Sequence, residues 1–146
     1  MSGAMTGSCL CGAVRFTATP AKREVGACHC SMCRKWTAWP FMGLDCGTTL
    51  KVDDATNLGI YRSSDWAERC FCKQCGTPLF YRLIAQNFHY VSAEAFDDKS
   101  GYAFVSQIFI DEKPAYYEFA NKTQMMTGAE VFAAFGSPGG DSKGQG

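Results

Sequence analysis

The chain has 146 residues, 47% of them hydrophobic, with 14 basic residues set against 14 acidic ones. That size and apolar content support one domain with its own core. The balanced charge argues against a broad nucleic-acid face, which needs a basic surplus. No apolar run reaches the roughly 18 residues of a membrane span. The start, MSGAMTGSCLCG, lacks a basic stretch followed by an apolar one, so it does not read as a secretory signal. The nine cysteines are therefore expected in a reducing, cytoplasmic setting, where stable disulfides are rare.

In chain order, residues 6–18 read as a hairpin turning at Leu10-Cys11-Gly12, with AVRFTAT leaving it as a strand. VGACHC at 25–30 reads as a strand end opening into a knuckle. Ser31 is placed to cap a short helix through Lys35 that Pro40 stops. Strands are expected at 48–52, 58–62, 77–84, 88–93 and 104–110, runs rich in Tyr, Phe, Val and Ile and bounded by Gly, Asp and Ser. Short helices are expected at 114–120 and from Thr127 to Gly136, where Thr127 and Glu130 form a capping box. The result is a mainly β domain over 1–136, with a disordered Gly-rich tail at 137–146.

Seven cysteines fall into three tight clusters: CxC at Cys9 and Cys11, CxCxxC at Cys28, Cys30 and Cys33, and CxxC at Cys72 and Cys75. Thiolates suit zinc, which is usually bound by four ligands in a tetrahedron. CxC plus CxxC supplies four sulfurs, a closed set of the structural kind. CxCxxC supplies three and leaves one place open, the pattern of a catalytic site. Three thiolates weaken zinc as a Lewis acid, so such a centre suits a thiol partner better than hydroxide generation. Gly12 and Gly76 follow the clusters where a tight turn calls for φ > 0.

Cys70, Cys46, His29 and His89 are the candidates to close the three-sulfur set, Cys70 foremost because CFCKQC repeats the CxCxxC spacing. His29 reads as a core or solvated histidine, His89 as an ordinary strand residue, and Cys46 as a small buried or turn residue. Arg34 and Lys35 either favour anions near the metal or form a solvated basic pair. Trp36, Trp39 and Phe41 read as core and pocket wall.

GSCLCGAVRF, ACHCSMCRKW and FCKQCGTPLFYR, with the later run IFIDEKPAYYEFAN, resemble the glutathione-dependent formaldehyde-activating enzyme family, which includes the centromere protein V domain. The match runs from about Gly7 to Gly136. The resemblance implies a β-tent-like fold of small antiparallel sheets pinned by zinc. It implies a structural zinc on Cys9, Cys11, Cys72 and Cys75. It also implies a second, catalytic zinc on Cys28, Cys30 and Cys33, whose open place takes a glutathione thiol or water. The implied activity joins glutathione to formaldehyde as S-hydroxymethylglutathione, a carbon–sulfur lyase reaction. The alternatives are a non-enzymatic, zinc-stabilised binding module, or thiol-based redox or metal handling.

Overall fold

Short runs of β-branched and aromatic residues favour strands over helices, and eleven strands form among residues 3–135, which the computed structural model describes. They are β1 (Met5–Ser8), β2 (Arg15–Ala18), β3 (Glu24–Cys28), β4 (Phe41–Asp45), β5 (Lys51–Val52), β6 (Leu58–Arg62), β7 (Ala67–Cys72), β8 (Pro78–Leu83), β9 (Phe88–Ser92), β10 (Ala103–Ile108) and β11 (Gln124–Met126). Two helices accompany them, α1 (Ser31–Thr37) and α2 (Gly128–Phe135). The expected mainly β architecture with short helices is the one the chain adopts.

The strands form two sheets. The smaller has the order β1-β2-β5, and the larger β11-β10-β3-β4-β9-β8-β7-β6. Pairing is antiparallel except at β3–β10 and β10–β11, which are parallel. Pleating sends successive side chains to opposite faces of the large sheet. One face contributes Val25, Leu44, Phe80 and Val91 to a core shared with Val14 and Phe16 of the small-sheet hairpin. The other carries Cys28 and Phe41, paired across β3 and β4, and packs with α1, Phe109 and Phe132. The large sheet thus separates two apolar layers.

Several sequence expectations shift. Ser31 begins α1 instead of capping it: the cap is Cys30, whose sulfur accepts a hydrogen bond from the Cys33 N–H. α1 ends at Thr37, with Ala38 left-handed, two residues before Pro40. No helix forms at 114–120; a 3-10 turn at Ile110–Glu112 leads into an irregular strap. Strands β4, β7 and β11 were not anticipated. The capping box at Thr127 is present, with Thr127 N–H donating to Glu130 Oε1 at 2.7 Å and Glu130 N–H to Thr127 Oγ1 at 3.1 Å. The expected stop at Gly136 and the tail at 137–146 lie outside the described residues. No helix among the described residues is long and apolar enough to cross a membrane.

Candidate metal centres

The first cluster joins two hairpin turns. Cys9 and Cys11 lie between β1 and β2, Cys72 ends β7, and Cys75 lies in the β7–β8 turn. Gly12 and Gly76 both take φ of 81° and close these turns, donating N–H to Cys9 O at 3.1 Å and Cys72 O at 2.8 Å. The Cys9–Cys11 and Cys11–Cys72 sulfurs are 3.7 and 3.8 Å apart. A tetrahedral zinc with bonds of about 2.3 Å sets its sulfurs about 3.8 Å apart, so the donor set fits such an ion. Backbone N–H groups of Val14, Gln74 and Cys75 point at the Cys9 and Cys72 sulfurs at 3.3–3.4 Å, stabilising thiolate charge. Hydrogen bonds from Thr77 pull the Cys75 thiol down to about 5.

The second cluster comes from one short stretch. Cys28 ends β3, Cys30 caps α1, and Cys33 lies in its first turn, so a strand-to-helix junction turns all three sulfurs inward. Each cluster's ligand atoms lie within 4.8 Å of one another. Cys30 and Cys33 are buried. Hydrogen bonding to Cys30 and Cys33 pushes Cys28 well above the ordinary thiol range. Bonds from Cys28 and Cys30, aided by the Arg69 charge, hold Cys33 well below it. The half-buried Cys28 and the buried Cys30 and Cys33 form a donor set that a soft divalent ion can satisfy.

The proposed fourth ligands go elsewhere. Cys70 lies in the core on the opposite face, with Leu79 and Phe80, and burial raises its thiol to about 12. Cys46 belongs to the same core, and burial likewise raises it to about 12. His89 is buried, its Nδ1 3.2 Å from Gly47 O. His29 is fully buried with both ring nitrogens engaged: Nδ1 lies 2.8 Å from Tyr117 Oη and Nε2 2.9 Å from Gln107 Oε1. Gln107 Nε2 donates to Thr123 Oγ1, which directs its carbonyl to the ring. Nε2 therefore carries the proton, and Nδ1 accepts from the Tyr117 hydroxyl. His29 thus fastens the 113–123 strap beside the cluster. Arg34 donates Nε to His29 O at 2.8 Å, while Lys35 is exposed. Trp36 stacks on Phe41 at 5.5 Å, and Trp39 is 43% exposed against Tyr117.

The sequence reading missed Arg69. It is buried on β7 and donates Nη1 to Cys33 Sγ at 3.4 Å, between the Trp36 and Tyr81 rings. The only local signal was a charge in the run AERCFC, whose pairing partner could not be read from spacing.

Two thiolate clusters able to hold metal ions, set on a mainly β frame, define the class of protein. The chain belongs to the glutathione-dependent formaldehyde-activating enzyme family, whose model matches residues 4–112. It is similar to an uncharacterized lyase of Schizosaccharomyces pombe, with 40% identity over 126 residues that cover 86% of this chain and 92% of that protein. It is also similar to a Halomonas elongata protein provisionally named a glutathione-dependent formaldehyde-activating enzyme. There the identity is 33% over 85 residues, covering 52% of this chain and 54% of that protein. A crystal structure of a Rhodobacter sphaeroides protein aligns with a TM-score of 0.56 at 23% identity, covering 64% of this chain and 88% of that one, a likeness of fold. Family and relative together support a carbon–sulfur lyase-like role.

Proposed function

We propose that this protein is a zinc-dependent carbon–sulfur lyase-like enzyme acting on an adduct of a small thiol and an aldehyde, of the S-hydroxymethylglutathione type. One observation carries the reading: Cys28, Cys30 and Cys33 converge, and among the described residues no fourth Cys, His, Asp or Glu joins them. In this reading Cys9, Cys11, Cys72 and Cys75 hold a structural zinc. Cys28, Cys30 and Cys33 hold a second, with the fourth place left for the thiol of glutathione. Bound there, zinc supplies the positive charge that keeps the substrate sulfur a thiolate at neutral pH.

The chain's own residues position the reaction. The junction of β3 and α1 orients the three sulfurs, and Phe41 and Phe109 keep one side dry. Holding sulfur beside an aldehyde carbon supplies much of the rate through proximity. In the synthetic direction the sulfur lone pair forms the C–S bond, the C=O π pair moves to oxygen, and oxygen takes a proton from water. The lyase direction reverses these changes. In this reading the place of action is a reducing cytoplasm, where thiols persist.

The test combines cobalt substitution with NMR exchange between glutathione and formaldehyde. Glutathione should perturb the sulfur-to-cobalt absorption bands, and the zinc protein should accelerate exchange. Cys30→Ala should do neither. A wild-type protein that ignores glutathione in both measurements ends this reading.

A further inference from the structure

Arg69 is 3% exposed, and its hydrogen bond among the described residues goes to a sulfur and not to a carboxylate. Ion pairs do form elsewhere, between Arg23 and Asp98 and between Arg82 and Glu68. Instead the guanidinium lies between two rings, its carbon 5.2 Å from the Trp36 centroid and 5.1 Å from that of Tyr81. Nη1 donates to Cys33 Sγ. Nε and Nη2, the donors of the opposite edge, are buried and meet no acceptor among the described residues.

Guanidinium stays protonated in proteins. Burying it without an anion is expensive, and an apolar residue of similar volume commonly serves stability as well or better. A merely structural clamp between β7 and α1 would therefore be better built from Met or Leu. The charge is retained where the three sulfurs can answer it.

We infer that Arg69 is the charge-setting positioning residue of the second cluster, making its fourth place select an anionic ligand, a substrate thiolate, over a neutral one. This rests on the reading of that cluster as a three-thiolate metal centre. A divalent ion with three thiolates carries about one net negative charge. Arg69 offsets it, so an incoming thiolate meets a neutral surrounding. Without Arg69 it meets a negative one.

The experiment uses the cobalt-loaded full chain and the variants Arg69→Met and Arg69→Lys. Each is titrated with azide, an anion, and imidazole, a neutral ligand, by visible absorption. Arg69→Met should lower azide affinity relative to imidazole by about 10- to 100-fold, the effect of removing an opposite charge within a few ångströms. Arg69→Lys should recover most of that preference. An unchanged azide-to-imidazole ratio, or equal weakening of both ligands, overturns the inference. Should Arg69→Met lose the second cobalt altogether, the lysine variant decides. Cobalt retained with the wild-type azide preference supports the charge-setting role, and cobalt lost there too makes Arg69 a structural clamp and overturns it. Wild-type protein that ignores glutathione, while its azide preference depends on Arg69, would sink the proposed substrate and leave this inference standing.

Discussion

The two cysteine clusters use the same ligand type in opposite ways. The first ties together turns 61 residues apart in sequence, at the junction of the two sheets, and leaves Cys11 exposed and Cys75 half-buried. The second draws all its sulfurs from Cys28 to Cys33, beneath α1 and beside a buried cation. A centre that bridges distant segments shares its binding energy with the fold. A centre built from one junction can lose its ion and leave the sheets paired. The difference lies in how much chain each cluster closes, not in the sulfur chemistry.

Four changes test that contrast. Cys72→Ser removes a sulfur that, in the proposed reading, ligates the first ion and so anchors the small sheet to the large one. Metal binding and folding are coupled in such sites, so it should cost at least about 4–5 kcal/mol, the range typical of losing a structural metal. Thermal unfolding with zinc analysis reads this. A variant that keeps its full metal and melting temperature breaks the structural half of the comparison. Cys30→Ala should abolish the second ion while costing about 2 kcal/mol, zinc falling from about two per chain to about one. Simultaneous loss of both ions would show that the clusters are not separable.

A third change is in pH. Burial holds both His29 and His89 below the ordinary histidine range near 6.5. Their neutral forms belong to the folded state, so the unfolded chain binds more protons as pH falls. Their contribution is complete above about pH 6.5 and is lost on acidification toward the lowered folded values, with a slope of up to about 1.4 kcal/mol per pH unit for each histidine. Denaturant unfolding at pH 7.5, 6.5 and 5.5 measures it, and a chain that gains stability on acidification contradicts the sign. Because the buried His29 ring bonds Tyr117 and Gln107, the strap at 113–123 should be the first part to gain hydrogen exchange. The smallest effect is expected at the start of α2, whose Val131 and Phe132 pack against the layer of the second cluster without supplying a sulfur to it. Thr127→Ala removes the hydroxyl cap of α2 and should cost about 1 kcal/mol, with metal content unchanged.

Much of the site could be read from spacing. Residues two or three apart in a knuckle are held near one another by covalent geometry, so CxC, CxCxxC and CxxC announced their clusters. The capping box at Thr127 and Glu130 is local in the same sense. The short helix expected over PAYYEFA at 114–120 does not form. In the fold Tyr117 and Phe119 turn inward while Tyr116 and Glu118 turn out, an alternation of two that belongs to extended chain. Tyr117 is held by His29, and Phe119 packs near Trp39 and Phe104. That long-range aromatic packing overrides the local preference.

By itself the sequence determined which sulfurs could act together, because ligand spacing along the chain is the spacing within each turn. Only the tertiary structure decided what surrounds them. Neighbours on β7 point to opposite faces of the large sheet, Arg69 toward Cys33 and Cys70 into the core, with a register shift just after Cys70. Which of the two meets the second cluster depends on how β7 registers with β8 and where α1 docks on that face. Those pairings join residues dozens of positions apart, and burial of apolar surface across both faces selects them. A cysteine that looked like a fourth ligand thereby became core, and an arginine with no local motif became the neighbour of a thiolate.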